Sequence, residues 1–262
     1  MKTYEIIECE NKETLGILIY YKKTKCFIIE LNEQLDEWTA PLLLTGYVKK
    51  KIYTIPRDIS KAWVKERIIP KNRQNIGDIL SHHHLKEYDE IKMLELSEGK
   101  CSQDNLYIKK TESLPDYVLE RMKRNLVDVV LLDNCSALAF FSDDTVKKVD
   151  LKAFSQISDY LNNQAFMDTA QVGCGGYYLT FNDSIDIPSN LLYEKGLDIP
   201  LKRQDFISFL QKNVLDTTGS CNLLNCTRQN LSYLVKQKQL TVAKPNVSGN
   251  LFMKGDVLRN QW

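Results

Sequence analysis

The sequence predicts an α+β protein of several small domains, built on antiparallel sheets. Three observations predict this class. Short runs rich in Ile, Tyr, Phe and Val lie between residues 4 and 31 and again between residues 127 and 188, and such side chains favour strands. Segments with apolar residues at helical spacing follow each set of strands. The chain of 262 residues exceeds the ~100–200 residues of a typical domain, so we expect domains over residues 1–115, 118–200 and 201–262.

The N-terminal block, residues 1–115, opens with predicted strands and continues with predicted helices. The strand segments are residues 4–9, 15–21 and 26–31. Helices are expected after Pro56, after Asn72 and over residues 85–96, where apolar residues recur at helical spacing. The residues of this block indicate an α+β domain but point to no particular role.

The middle block, residues 118–200, has a second series of predicted strands around one short helix. The strand segments are residues 127–132, 137–141, 146–149, 170–172 and 177–181. Phe154, Ile157 and Leu161 mark the amphipathic helix. Together these elements predict an antiparallel sheet with a helix on one side.

Three stretches of this block, LAFFSDDTVKKVDL, NQAFMDTAQV and FNDSIDIPSNLLYEKG, resemble the domain-of-unknown-function 2442 family. That family usually has an aromatic residue before Asn-Asp or Asn-Gly, then Asp-Ile or Asp-Leu, then Leu-Tyr. The residues in those places are Phe181, Asn182-Asp183, Asp186-Ile187 and Leu192-Tyr193. The resemblance implies a compact α+β fold and a regulatory or antitoxin-like role without catalysis.

Candidate catalytic and metal-binding groups are few. The candidates in the middle block are four of its carboxylates, Asp143, Asp144, Asp183 and Asp186. Paired carboxylates suit acid–base or metal chemistry, but these lie at predicted turns, where Asp is favoured for backbone hydrogen bonding. The tract His82-His83-His84 does not converge on one ion, since successive helix residues point about 100° apart. We therefore predict no catalytic residue, no metal site and no cofactor.

The charge of the chain is unevenly distributed. Residues 201–262 hold nine Lys or Arg and three Asp, a net charge of +6. Because the whole chain carries only +1, the preceding 200 residues carry −5. A basic tail on an acidic body indicates an anionic partner for the tail, the alternative being a solvated basic face.

A helix pair is predicted within this basic segment. A short helix over about residues 219–225 would end at Asn225, a residue that tolerates the left-handed turn between two helices. Thr227 is a suitable N-cap for a second helix. The apolar residues that place one face of this second helix inward are Leu231, Leu234 and Val235.

The opposite face of the second helix has the residues that major-groove recognition requires. Arg228 can bond guanine bidentately, and Gln229 and Asn230 can do the same to adenine from the first helical turn. Lys236 and Lys238 suit phosphate contacts. The full set of predicted DNA-binding residues is Thr227, Arg228, Gln229, Asn230, Ser232, Tyr233, Lys236, Lys238, Lys244 and Asn250.

A two-stranded wing is predicted after this helix, with strands over residues 239–244 and 251–253 and a final helix from Lys254. The run LLNCTRQNLSYLVKQKQLTVAK…SGNLFMKGDVL resembles the excisionase and MerR-type winged helix-turn-helix. The chain departs from that family at Cys221, where Ala is common, and at Asn225, where Gly is common. The resemblance implies a C-terminal DNA-binding module.

The seven cysteines are an odd, scattered set without a CxxC pair, so we expect reduced thiols and no disulfide framework. The sequence has no apolar run of the ~18 residues that a membrane span needs, and its start lacks a signal peptide, so we expect a cytoplasmic protein.

The leading hypothesis is a bacterial DNA-binding transcriptional regulator, with an antitoxin-like autoregulator of a small operon as one form. Its partner would be double-stranded DNA, and residues 1–200 would bind a protein or self-associate. The alternative is a non-catalytic protein-interaction factor of a mobile element or phage. An enzyme acting through residues 1–115 is a third hypothesis, which no motif supports.

Overall fold

The computed structural model describes residues 1–132, 134–199 and 203–247. Contacts divide the chain into two units, Met1–Asp205 and Phe206–Trp262. The chain is mixed α and β with several small antiparallel sheets, as the sequence predicts. No helix in the described part of the chain is both long enough and apolar enough to cross a membrane.

The first sheet has five strands in the order β4-β3-β2-β1-β5. Its strands are β1 (Lys2–Glu8), β2 (Thr14–Tyr21), β3 (Cys26–Leu31), β4 (Thr54–Ile55) and β5 (Leu106–Thr111). The predicted N-terminal strands match β1, β2 and β3 within two residues. Strand β5 was not predicted, because its lysines at positions 109 and 110 are exposed and leave only a short apolar pattern.

Helices cover one face of this sheet. They are α1 (Thr45–Lys49), α2 (Arg57–Lys65), α3 (Ile76–His82) and α4 (Glu90–Leu96). Trp63 and Val64 of α2 are fully buried against the sheet, in agreement with the apolar spacing after Pro56. Helix α4 begins later than the predicted residue 85, because the Asp89 carboxylate caps it by accepting hydrogen bonds from two backbone N–H groups.

The opposite face of β2 and β3 is also buried. Ile17, Ile19 and Ile28 pack there against Val118 of helix α5 (Asp116–Met122). Burial on both faces explains the continuous apolar run of β2, since a strand with one solvent face alternates polar and apolar residues.

Two further sheets follow. The first has the order β12-β8-β7-β6 and contains β6 (Leu126–Leu132), β7 (Ser136–Phe141), β8 (Val146–Asp150) and β12 (Leu197–Asp198). The second has the order β11-β10-β9 and contains β9 (Gln171–Val172), β10 (Tyr178–Phe181) and β11 (Ile185–Pro188). Two helices accompany them, α6 (Gln164–Met167) and α7 (Ser189–Lys195).

The segment predicted as an amphipathic helix around Ile157 is a 3-10 helix, Ser155–Tyr160. Residues at i and i+3 align in a 3-10 helix, and Phe154 and Ile157 are both fully buried in the core of the middle block. The sequence spacing therefore identified the buried face but not the helix type.

A disulfide joins Cys26 of β3 to Cys174, just before β10. The prediction of reduced thiols is wrong for this pair. The two cysteines are 148 residues apart, so no local spacing could reveal the bond. The cysteines that remain free are Cys9, Cys101, Cys135, Cys221 and Cys226.

The C-terminal part of the described chain is helical. Its elements are α8 (Arg203–Asn213), α9 (Thr217–Leu224) and α10 (Arg228–Lys236). Helices α9 and α10 pack against each other across a short turn.

Candidate nucleic-acid interface

Helix α9 begins two residues earlier than predicted, because Asp216 is its N-cap. The Asp216 carboxylate accepts a hydrogen bond of 2.7 Å from the backbone N–H of Gly219. This bond satisfies one of the N–H groups that a helix leaves unpaired in its first turn.

The turn between the two helices has the conformation that the sequence predicts. Asn225 adopts the left-handed region, with φ 48° and ψ 51°. The backbone N–H of Cys226 donates to the carbonyl oxygen of Cys221 at 3.0 Å, which satisfies a carbonyl at the end of α9. Asn tolerates this region better than most residues, so the turn forms without a glycine.

The side chain of Thr227 caps α10, also as predicted. Its Oγ1 atom accepts a hydrogen bond from the backbone N–H of Asn230 at 3.3 Å. Leu231 is the buried residue of α10, and Leu234 and Val235 on the same face are half-buried. The predicted inward face therefore packs inward.

The opposite face of α10 is open to solvent. Tyr233 is 58% exposed, and the other residues of α10 that were predicted to contact DNA are exposed as well. These residues are Arg228, Gln229, Asn230, Ser232 and Lys236. A face of this composition has donors and acceptors free for a partner.

Arg228 has one partner within the helix pair. Its Nη2 atom donates to the Thr218 hydroxyl at 3.3 Å, across the turn from α10 to α9. A guanidinium has five N–H donors, so this bond orients the side chain and leaves other donors for a ligand. Sequence reasoning missed this contact, because it depends on the angle between the two helices.

The described part of the second unit is strongly basic. Residues 206–247 contain five Lys or Arg and a single carboxylate, that of Asp216. Asp216 is occupied as an N-cap, while Lys236, Lys238 and Lys244 are exposed. The positive charge is therefore available to an anionic partner.

The predicted first strand of the wing is not confirmed. Residues 239–244 form bends and irregular structure, and Lys238 before them has a left-handed φ of 56°. A strand requires a hydrogen-bonded neighbour, and the predicted partner, residues 251–253, lies outside the described residues, as do Asn250 and the predicted helix from Lys254.

The two thiols of the helix pair lie close together. Partial burial and the neighbouring Cys226 raise the pKa of Cys221. A thiol with a raised pKa loses its proton less readily, and the thiolate is the nucleophilic form.

The carboxylates considered above as catalytic or metal-binding groups have hydrogen-bond or ion-pair partners within the fold. Asp143 accepts hydrogen bonds from the Tyr193 hydroxyl at 2.8 Å and from the backbone N–H of Thr145 at 2.9 Å. Burial alone would raise the pKa of Asp143, but these hydrogen bonds lower it overall. Asp183 and Asp186 both pair with Arg57, a long-range contact that sequence spacing does not reveal.

The histidine tract and Gly176, which precedes β10, also have structural explanations. His82, His83 and His84 end helix α3 and are exposed. No group of three metal-ligating side chains occurs among the residues that the structure describes. Gly176 has φ 77°, and a Cβ atom there would lie 2.2 Å from the Leu126 carbonyl oxygen, so close packing requires this glycine.

Comparisons with protein-family models, with curated proteins and with solved structures find no match to this chain.

Proposed function

We propose that the helix pair α9–α10 binds double-stranded DNA and that the protein is a non-catalytic transcriptional regulator. The observation that supports the proposal is the exposed polar face of α10, which lies opposite a buried Leu231 and within a basic segment. Recognition helices of helix-turn-helix proteins present base-contacting side chains in their first turn, where Arg228, Gln229 and Asn230 lie.

In this proposal α10 enters the major groove by its N-terminal end. Arg228, oriented by Thr218, reads guanine, and Gln229 reads adenine. Lys236 and Lys238 contact phosphates, which adds affinity without sequence preference. The region after Lys238 contributes Lys244 as a phosphate contact, and no strand is needed for that role.

A single helix pair makes few base contacts, so useful specificity usually requires two copies on two half-sites. We therefore propose that residues 1–200 self-associate or bind a protein that brings two copies together. An autoregulator of a small operon, including the antitoxin-like type, would work in this way.

The test is fluorescence polarisation with the full chain and duplex DNA from the region upstream of its own gene. The double variant Arg228→Ala/Lys236→Ala should lose at least about tenfold in affinity, and its salt dependence should weaken by about one phosphate contact. The matched control is Lys50→Ala/Lys152→Ala, which removes two exposed lysines of the first unit. Equal affinity and equal salt slope in both variants would refute the proposal.

A protein-interaction factor is the second candidate function. Leu223 and Leu224 of α9 are exposed, Leu223 by 77%, although neither contributes charge or base recognition. Exposed apolar residues beside each other often mark a protein-binding surface. A pull-down in which Leu223→Ser/Leu224→Ser abolishes recovery of a stoichiometric partner, with no DNA binding at low salt, would favour this candidate.

A further inference from the structure

The first unit has a cavity of about 660 Å³ beside helix α2. Tyr20, Ile68 and Pro70 form part of its wall. Lys25, Lys61, Lys65 and Lys71 also line it. A volume between ~300 and ~1,000 Å³ is typical of sites for small organic ligands.

The four lysines line one cavity and form no ion pairs among the described residues. All four are exposed, and none forms an ion pair with another residue in the part of the chain that the structure describes. Lys61 and Lys65 lie on one face of α2 at i and i+4, where like charges repel. Asp89 and Glu90 line the same cavity, so its four lysines and two carboxylates leave a net charge of +2, which an anionic ligand would offset.

Lys25 reaches the cavity from a different part of the fold. It lies in the tight turn between β2 and β3, where its φ of 51° is ordinary hairpin geometry. The turn places a fourth lysine beside those of α2 and the loop after Pro70.

The cavity also has aromatic and apolar lining residues that can contact a ring. Tyr20 is held by its contact with Phe27, with 4.7 Å between ring centroids, and its hydroxyl has no hydrogen-bond partner among the described residues. Burial and the carboxylates of Asp89 and Glu90 raise the pKa of Tyr20, so its hydroxyl is neutral and can donate a hydrogen bond. Ile68 adds apolar surface beside it.

We propose that this cavity binds a phosphorylated small molecule of nucleotide size, with its phosphates on the lysines and its ring against Tyr20 and Ile68. A nucleic-acid strand fits less well, because Asp89 and Glu90 line the same cavity and would repel a phosphate backbone that continued through it. The proposal is independent of DNA binding by α10, and the ligand would be an effector of the first unit.

The test is isothermal titration calorimetry of the full chain with ATP, GTP, CTP and UTP, and with inorganic triphosphate. At least one nucleotide should bind with a Kd below about 1 mM and more tightly than triphosphate, because the ring contributes apolar contact. Lys61→Glu/Lys65→Glu should weaken that binding at least about tenfold, by replacing attraction with repulsion.

The matched control is Lys50→Glu/Lys152→Glu, an equal charge change on exposed lysines outside the cavity, which should leave binding unchanged. If the glutamate variant of α2 does not fold, as judged by circular dichroism, Lys61→Gln/Lys65→Gln replaces it with a smaller expected loss. The proposal is overturned if no nucleotide binds, if triphosphate binds as tightly, if the control loses equally, or if a single-stranded oligonucleotide binds the cavity more tightly than every nucleotide.

Discussion

Arg228 donates a hydrogen bond to the hydroxyl of Thr218, 3.3 Å away, and so connects the first turn of α10 to the first turn of α9. The contact is exposed, so its direct contribution to stability is small. Its effect is to restrict the rotamers of a long side chain before the proposed DNA binding. A side chain ordered in advance loses less conformational entropy on binding.

The first prediction concerns the substitution Thr218→Val. The substitution keeps the size of the side chain and removes the hydroxyl acceptor of the Arg228 bond. The free energy of unfolding should change by less than about 0.5 kcal/mol, as for most exposed positions. Discrimination between guanine and other bases at the Arg228 contact should fall, within the ~1–3 kcal/mol that a good bidentate pair provides.

Competition binding with duplexes that differ at single guanine positions measures this effect. Thr217→Val is the matched control, since its side chain has no hydrogen bond to the Arg228 guanidinium. If Thr218→Val and the control discriminate equally well, Thr218 does not orient Arg228 for recognition.

The second prediction concerns the N-cap substitution Thr227→Ala. Loss of the hydroxyl that accepts from Asn230 N–H should destabilise α10 by about 1 kcal/mol, as for other N-cap substitutions. Ser232→Ala, in the exposed middle of the same helix, should leave stability unchanged or raise it slightly, since Ala is the better helix former. Thermal denaturation followed by circular dichroism at 222 nm, the wavelength at which helix content is commonly read, compares the two variants. Equal melting curves would contradict the capping role.

Local patterns predicted most of the elements with strong periodicity. Strand β3 has the predicted bounds, and Asn225 and Thr227 have the predicted turn and cap conformations, because each depends on a few neighbouring residues. Elements that depend on distant partners were missed. Strand β4 is only two residues long and exists through pairing with β3, which lies more than 20 residues earlier in the chain.

In the candidate site, too, the features set by neighbouring residues were predicted and those that need distant partners were not. The exposed and buried faces of α10 follow from helical spacing, so the sequence was sufficient for them. The Arg228 contact with Thr218 and the lysine-lined cavity need the packing of separate elements. The predicted strand over residues 239–244 is not confirmed, and its predicted partner, residues 251–253, lies outside the described residues.

The disulfide between Cys26 and Cys174 supports a third prediction. A bond that closes a loop of this length should stabilise the first unit by about 2–4 kcal/mol, chiefly by restricting the unfolded chain. Cys26→Ser/Cys174→Ser should therefore unfold at a lower urea concentration than the oxidised protein. The control Cys9→Ser/Cys101→Ser removes two free thiols and should change stability less.

Peptide mapping without reductant identifies the bond directly. One cross-linked peptide pair containing Cys26 and Cys174 is expected, and it should disappear after reduction. The bond would be refuted if both cysteines were recovered as free thiols from protein kept without reductant and the double serine variant were as stable as the unsubstituted protein.

Arg121 forms a buried ion pair that supports the fourth prediction. Its Nη1 atom donates to the carboxylate of Glu30 at 2.8 Å, and Glu30 is 0% exposed. Burial raises the pKa of Glu30, while the hydrogen bond and charge of Arg121 oppose that rise. Arg121→Ala should cost about 3–5 kcal/mol at neutral pH, because it leaves a buried carboxylate without its cation.

The free energy of unfolding lost in Arg121→Ala should depend on pH in a defined direction. Removal of Arg121 raises the pKa of Glu30 further above its ordinary value of 4.5. A carboxyl group whose folded pKa lies above its unfolded value contributes stability at low pH and loses it as the pH rises through the folded pKa. The stability lost in the variant should therefore be smallest at acidic pH, where Glu30 is protonated in both folded proteins, and should grow as the pH rises until Glu30 of the variant has lost its proton.

Urea denaturation at several pH values, followed by the fluorescence of the buried Trp63, measures this dependence. Glu33→Ala is the control, since Glu33 pairs with the same guanidinium at 3.0 Å but its side chain is 63% exposed. That variant should lose less than about 1 kcal/mol, with little change across pH, because solvent screens an exposed pair. A pH-independent loss in Arg121→Ala, or an equal loss in Glu33→Ala, would show that the buried carboxylate of Glu30 does not require Arg121.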